Sequence, residues 1–423
     1  MSESRAHLLH ARAAAVAQTP RDPFLRRFLF GLAELRLAWS VVLPTLGLLA
    51  FGNVFIWSAT LEAERELLPR QLLFCGAGVV GIAIVCRMGT GWLLDRATLL
   101  YGALLAVLMV LPLLASPSNV GSARWISLPF GFKLQPSEFM KLGLILALAA
   151  HLRHQGVTNT WRSYVMPFVL TAVPWFFVMR QPDLGSSLVM LPVFVAMVWV
   201  SGARLRHVLL VGVAVAAMLP AAYLVPGILQ PYQKDRVDAF LTPIPARVAQ
   251  ARELRDAHQH DEARALEREI SELKRGTGYQ QFYSVVAVGS GGMHGSGLGR
   301  GIQNRGNRLP VRHADFIFAV VAEELGLFGS LAVLGLYAWL MAGILGVAHR
   351  TREPFGRLVC VGVAALIGGQ ALLNLGIATG MLPVTGLPLP LVSYGGSSVL
   401  ATMAALGCVL DIGRRKVDVF FEE

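Results

Sequence analysis

The chain has 423 residues, of which 55% are hydrophobic and only 15% charged, and its mean hydropathy is +0.57. This composition excludes an ordinary soluble globular domain and favours a membrane protein. A net charge of +11 would suggest nucleic acid binding in a soluble protein, but here the arginines fall in alternate short loops between apolar stretches. We therefore attribute the charge to membrane topology, and expect membrane lipids rather than nucleic acid around the chain.

Apolar stretches of about 20 residues, the length that crosses a bilayer, recur along the chain. They predict an all-α, polytopic membrane protein with about ten transmembrane helices. The predicted spans lie near 38–58, 71–86, 97–115, 138–152, 164–180, 184–201, 207–228, 315–347, 358–381 and 396–413.

Three regions follow from this pattern. A basic tail, 1–36, precedes a membrane domain, 37–415, and a short tail, 416–423, ends the chain. The positive-inside rule places both tails in the cytoplasm and one large loop, about 229–314 between helices 7 and 8, on the extracytoplasmic face. Inside this loop, 246–275 lacks Gly and Pro and predicts one charged helix, either a solvated cap or a docking surface for a partner protein.

Two short outward segments carry polar chemistry between spans. Arg124 stands beside Trp125 in the first, where the indole suits either a sugar or lipid contact or an interfacial anchor. The second, Arg180-Gln-Pro-Asp-Leu-Gly-Ser-Ser187, is a tight turn in which Asp183 is expected to cap the next helix.

Gln135-Pro-Ser-Glu138 opens a helix, and Glu138 with Lys141 at i, i+3 share one face of it. Charges inside a membrane helix are costly, which predicts an ion pair. The pair is either a structural lock within the bundle or part of a polar cavity for a charged headgroup.

The segment from Leu309 to Gly329 places Asp315 where the large loop enters a span. Arg312 and His313 come just before it, and Glu323 and Glu324 follow about 12 to 14 Å along the helix axis. Asp315 is either a helix cap or a functional carboxylate, and its surroundings in sequence do not decide between them.

Gly380 to Ser398 is too rich in Pro and Gly for a regular helix, so it predicts a re-entrant or surface loop that lines a cavity. With this loop, which contains Ser393, four motifs are in place: QPSE, QPDLG, DFIFAV with EELG, and PLPLVSYGGSS. In this order they resemble the SEDS family of RodA, FtsW and SpoVE proteins, over nearly the whole chain. The stretch from Leu382 to Pro390 is most similar to the RodA type.

The resemblance implies a peptidoglycan glycosyltransferase of the inner membrane that polymerises lipid II on the extracytoplasmic face and releases undecaprenyl pyrophosphate. It maps the family's essential acid onto Asp315, which would act as the general base. Partners implied are lipid II, the growing glycan strand and a class B penicillin-binding protein. Candidates for the substrate cavity and for holding the diphosphate are Arg124, Trp125, Glu138, Lys141, Arg180, Arg312, Glu324 and Ser393.

Some points depart from the family pattern or stay open. Val311 and Ala314 replace a Glu and a Thr that usually precede the acid, so support from those side chains is in doubt. No His/Cys cluster has metal-ligand spacing, and no cofactor is certain, although a divalent Mg or Mn ion could share the diphosphate. A lipid II flippase and a non-catalytic scaffold for the penicillin-binding protein are the alternative functions.

Overall fold

A computed structural model describes residues 23–415 apart from 62–63, 115–123, 128–131, 155–161, 182, 205, 207–211, 214–223, 225–230, 242–243, 258, 274–276, 307–308 and 310, with side chains from residue 38. Both predicted tails therefore lie largely outside the described residues. The first described helix nevertheless begins at Pro23, inside the stretch expected to be a tail.

The described part is mostly helical. Its helices are α1 Pro23–Ala59, α2 Leu67–Leu114, α3 Pro136–Leu152, α4 Arg162–Arg180, α5 Leu184–Val200, α6 Pro231–Leu241, α7 Ile244–Asp256, α8 His260–Leu273, α9 Thr277–Ser290, α10 Ile302–Arg305, α11 Ile317–Arg350, α12 Pro354–Ala378 and α13 Gly396–Arg415. Two short antiparallel strands, β1 Ile126–Ser127 and β2 Lys133–Leu134, pair between α2 and α3.

Six described helices are long and apolar enough to cross a membrane, which confirms a polytopic membrane protein. They are Ala38–Ala59, Leu67–Pro112, Ser163–Arg180, Ile317–Arg350, Pro354–Ala378 and Gly396–Arg414, and Leu184–Val200 is a shorter apolar helix. A left-handed Gly89 divides α2 into two arms, which correspond to the second and third predicted spans. The predicted span 207–228 falls almost wholly outside the described residues, so the number of about ten stays a prediction.

The core lies where α11, α12 and α13 meet α1, α2, α3 and α5. Small residues let the elements approach closely, because a side chain at Gly52 in α1 would overlap the backbone of Leu391 and Val392. By contrast α2 is mostly exposed along its length, as expected for a helix that faces lipid. The most buried helices therefore surround the loop between α12 and α13.

The stretch 246–275 is helical, as predicted, but it forms a hairpin of two helices rather than one helix. α7 and α8 pack against each other, with Ala251 and Ile270 buried between them beside Phe282 of α9. Arg255 pairs with Glu267 across the hairpin. Folding back buries apolar faces that a single straight helix would leave in water.

Candidate active site

Asp315 lies in the turn just before α11, at the mouth of the bundle, and is partly exposed. The turn is fastened to the loop between α12 and α13. Asn374 donates from Nδ2 to the carbonyl oxygens of Asp315, at 2.9 Å, and of Leu387, at 2.6 Å. Ser393 donates from Oγ to the carbonyl of Ala314 at 2.5 Å. These bonds fix the Asp315 backbone without using its carboxylate.

The Pro-rich loop is held by side chains from several helices, as irregular backbone inside a bundle requires. Gln370 donates to the Pro388 carbonyl at 2.9 Å, and the Tyr337 hydroxyl donates to the Pro390 carbonyl. The Leu389 amide donates to Ser393 Oγ at 2.8 Å. Ser393, a predicted cavity residue, is buried and links the loop to the turn that carries Asp315 through these hydrogen bonds.

Cationic side chains surround the Asp315 carboxylate. A Cβ placed on Gly386 would lie 3.7 Å from Asp315 Oδ2 and 3.9 Å from Arg236 Nη1, so both groups face one small space. Burial raises the pKa of Asp315 to about 6, although Arg236 and Arg124 oppose this rise and the negative charge of Asp183 adds to it. The carboxylate is therefore poised to exchange a proton near neutral pH.

Arg124 is the predicted diphosphate candidate that the structure does bring to the site. Its guanidinium carbon lies 6.0 Å from the centroid of the Trp125 ring. Its Nε is buried and has no hydrogen-bond partner among the described residues. The guanidinium thus retains capacity to bind an anion.

Asp183 caps α5, as the sequence indicated. Its carboxylate accepts hydrogen bonds from the amide of Ser186 at 3.1 Å, from Gln135 Nε2 at 2.6 Å and from Ser137 Oγ at 3.1 Å. Three donors bind the carboxylate to α3, its preceding residue and α5, which positions the carboxylate near Asp315.

Glu138 and Lys141 form a buried pair rather than lining an open cavity. Lys141 Nζ lies 2.7 Å from Glu138 Oε1, and the exposed fractions of the two side chains are 2% and 4%. Lys141 also donates to Gln370 Oε1 at 3.1 Å. Because Gln370 holds Pro388, this arrangement matches the structural-lock alternative and supports the loop above the site.

Arg312 and Glu324 bind protein groups away from the Asp315 carboxylate. Arg312 is buried and donates to the carbonyls of Ala59 at 2.7 Å and Asn304 at 2.8 Å. Glu324 is fully buried and accepts from Ser58 at 2.7 Å and from Asn304 Nδ2 at 2.9 Å. These two candidates therefore join α1, α10 and α11 into one clamp.

Glu323 completes this clamp by accepting the backbone amides of Gln303 at 2.7 Å and Asn304 at 3.2 Å. Another candidate, Arg180, is exposed and lies over the Phe176 ring at 5.5 Å. Within the described part of the chain, its side chain forms no hydrogen bond or ion pair with the groups around Asp315.

Arg236 is the residue that sequence reasoning missed. It belongs to α6 in the large loop, far along the chain from any of the four motifs. The stretch from Lys234 to Asp238 contains charges of both signs. Nothing in these residues indicates that Arg236, rather than one of its neighbours, lies beside Asp315. Only the folding of α6 against α9 brings Arg236 near Gly386.

Comparison with known proteins agrees with this architecture. The family profile described as "Cell cycle protein", for FtsW, RodA and SpoVE, matches residues 38–417. A curated relative from Geobacter metallireducens, named "Probable peptidoglycan glycosyltransferase FtsW", is 34% identical over 89% of this chain and 94% of its own length. Stage V sporulation protein E of Bacillus subtilis is 31% identical over 88% of this chain and 96% of its own.

Solved structures match as well. Rod shape determining protein RodA of Thermus thermophilus has a TM-score of 0.62 and 31% identity, covering 90% of this chain and 97% of that one. A chain from the study "Structural coordination of polymerization and crosslinking by a peptidoglycan synthase complex" has a TM-score of 0.70 and 32% identity, covering 90% and 98%.

These findings define a class of protein, an integral inner-membrane enzyme with peptidoglycan glycosyltransferase activity. The chain belongs to the SEDS family of FtsW, RodA and SpoVE proteins. The resemblance carried by the four motifs is thereby confirmed at the level of the family.

Proposed function

We propose that the protein joins lipid II units into glycan strands during cell elongation, with Asp315 as the general base. The observation that carries this proposal is the carboxyl group of Asp315, a partly exposed residue in the turn before α11, whose pKa is raised to about 6 and whose oxygens accept no hydrogen bond from the side chains that the structure describes. A base is most effective when its pKa lies near the working pH. Asp315 accepts the proton of the attacking sugar hydroxyl as that oxygen bonds to the anomeric carbon.

The leaving group needs positive charge rather than a proton. As the new glycosidic bond forms, the bond from the anomeric carbon to the diphosphate oxygen breaks, and undecaprenyl pyrophosphate departs with the electron pair. Arg124 stabilises that charge with its guanidinium, whose Nε has no hydrogen-bond partner among the described residues. Trp125, beside it, offers an apolar ring to a sugar or to the lipid.

The other candidate residues take supporting roles in this proposal. The Pro-rich loop beside the site is held by Ser393, Glu138 and Lys141. The turn that carries Asp315 is held by Arg312 and Glu324. Arg180, which is exposed, is left as a candidate for an initial headgroup contact at the outer surface.

A divalent cation, Mg or Mn, is compatible with the proposed reaction. Among the described residues no three or more His, Cys, Asp or Glu side chains form a metal-binding group. Mg²⁺ commonly takes one or two carboxylates together with phosphate oxygens and water, so the diphosphate and water would supply most of its ligands. Such an ion would supply charge neutralisation, and a chelator tests its requirement.

Elongation is proposed over division on the Leu382–Pro390 loop, which resembles the RodA type, and on the match to a solved RodA. The curated relatives named FtsW favour the alternative role in division. Depletion in a rod-shaped host distinguishes them, since loss of elongation gives round cells and loss of division gives filaments.

The proposal includes a class B penicillin-binding protein as partner, cytoplasmic termini and an active site on the extracytoplasmic face. One matching solved structure is titled as a complex that couples polymerization and crosslinking, which supports a partner of this kind. Cysteine-accessibility labelling of intact cells at positions 2 and 264 tests the sidedness.

The decisive experiment supplies purified protein with lipid II and measures glycan polymer for the wild type and Asp315→Asn, with and without the partner and a chelator. General-base loss lowers turnover by about 10²–10⁴-fold. Unchanged polymer yield from well-folded Asp315→Asn contradicts the proposal. Lipid II translocation without polymer would favour the flippase, and normal cell shape with Asp315→Asn would favour the scaffold.

A further inference from the structure

Helix α6 brings a second arginine to the catalytic carboxylate. Arg236 Nη1 and Asp315 Oδ2 lie 3.9 Å and 3.7 Å from the point where a Cβ of residue 386 would be. Residue 386 is a glycine with φ +78°, so it puts no side chain into the space beside the two groups. The guanidinium and the carboxylate are therefore neighbours at the same point of the loop.

The other charged groups near this space are already engaged or differently placed. Asp183 is bound by three hydrogen-bond donors. His313, two residues before Asp315, pairs with Glu64 at 3.2 Å. Arg124 approaches from the segment before β1 and stacks near Trp125. Two arginines from different elements thus flank one acid.

We propose that Arg236 is a substrate-positioning cation that pairs with Asp315 in the empty site and binds the diphosphate of the lipid-linked donor in the loaded one. The inference rests on the function proposed above. A guanidinium binds carboxylate and phosphate with the same two-pronged geometry, so one side chain serves both states. Arg236 and Arg124 then hold the diphosphate from two sides.

This exchange couples donor binding to base strength. In the empty site, the positive charge of Arg236 favours the ionised carboxylate and lowers the pKa of Asp315. When Arg236 turns to the diphosphate, that stabilisation is lost and the carboxylate becomes a stronger base. The proton acceptor is therefore strengthened at the step in which the donor is present.

The test compares full-length Arg236→Gln with Arg236→Lys and with Arg264→Gln, which removes an equal charge from an exposed position on α8. Initial rates of polymerisation are measured against lipid II concentration and against pH. For Arg236→Gln we expect KM for lipid II to rise about tenfold, the scale of one charge-assisted contact. We also expect the acidic limb of kcat/KM to move to higher pH.

Arg236→Lys retains the charge but not the two-pronged geometry, so its acidic limb stays in place while KM rises by a smaller factor. Arg264→Gln leaves both quantities unchanged. Should Arg236→Gln lose thermal stability, Arg236→Lys carries the decision through KM alone.

Wild-type KM and an unmoved acidic limb in Arg236→Gln overturn the proposal, as does a wild-type KM in Arg236→Lys when the Gln variant does not fold. Binding of labelled lipid II in the Asp315→Asn background separates this failure from that of the proposed function. If Arg236→Gln weakens lipid II binding there while Asp315→Asn itself still polymerises, the positioning role stands and the general base is refuted.

Discussion

Asp315 and the pair Glu323 and Glu324 are separated by less than three helical turns, yet the structure treats them in opposite ways. The two glutamates are buried and their oxygens accept hydrogen bonds from Ser58, Gln303 and Asn304. Asp315 is partly exposed, and its Oδ2 lies beside Gly386 together with Arg236 Nη1. Carboxylates that hold a fold are saturated with donors, whereas one that performs chemistry needs free oxygens.

The same contrast separates the cations. Lys141 and Arg312 are buried and bonded to Glu138, Gln370, Ala59 and Asn304. Arg124 keeps a buried Nε without a partner among the described residues. Variants that remove one group at a time test this contrast. Loss of a hydrogen-bonded group such as Lys141 or Glu324 should lower stability, whereas loss of Asp315 or Arg124 should lower turnover.

The largest effect on stability is expected from Lys141→Met. It leaves the Glu138 carboxylate buried without its partner at 2.7 Å, and breaking a buried pair in this way costs about 3–5 kcal/mol. Thermal unfolding of the purified protein measures the loss. The matched control is Glu138→Gln with Lys141→Met, which removes both charges and should recover most of the stability.

A different result would place Lys141 among the substrate-binding residues. Wild-type thermal stability combined with a raised KM for lipid II in the single Lys141→Met variant contradicts the structural-lock interpretation.

Glu324→Gln should lower stability by less than Lys141→Met does, and it should leave the catalytic rate of the folded protein nearly unchanged. An amide keeps the shape but weakens the acceptor for Ser58 and Asn304, and hydrogen bonds to a charged group contribute about 1.5–3 kcal/mol. We expect a lower Tm and a kcat within about twofold of wild type for the folded fraction. A normal Tm with a large fall in kcat would move Glu324 into the active site.

The sequence predicted what is local and left out what depends on packing. Four motifs indicated the family, Asp315, the cap at Asp183 and the ion pair of Glu138 with Lys141, because each lies within a few residues of its own signal. Gln370 as the partner of Lys141 lies 229 positions away along the chain, and no periodicity points to it.

The large loop was the less predictable region for the same reason. A helix-forming composition over 246–275 does not reveal that the chain turns back near Ala257, since burial of Ala251 against Ile270 decides it. Arg236 was likewise one charge among several until α6 packed beside the Pro-rich loop.

The last comparison is the pH dependence of the wild type, which needs no change to the chain. With a pKa of about 6, Asp315 loses its role as base on acidification, so kcat/KM should fall about tenfold per pH unit below 6. The pKa of this carboxyl is raised from 3.8 in the unfolded chain to about 6 in the folded protein, so the folded state takes up the proton at higher pH. As the pH falls from 6 to 4, the contribution of this group to folding therefore becomes more favourable. Activity and the Asp315 contribution to stability thus move in opposite directions.

His313→Gln is the control for that profile, because burial lowers the pKa of His313 below 6.5, where its titration would overlap with that of Asp315. Initial polymerisation rates from pH 4.5 to 8 should keep the acidic limb in His313→Gln. If the limb disappears in that variant, the titrating group is the imidazole and not Asp315. If the acidic limb is retained, the proton acceptor is the Asp315 carboxylate. This result would agree with the contrast between Asp315 and the hydrogen-bonded glutamates of α11.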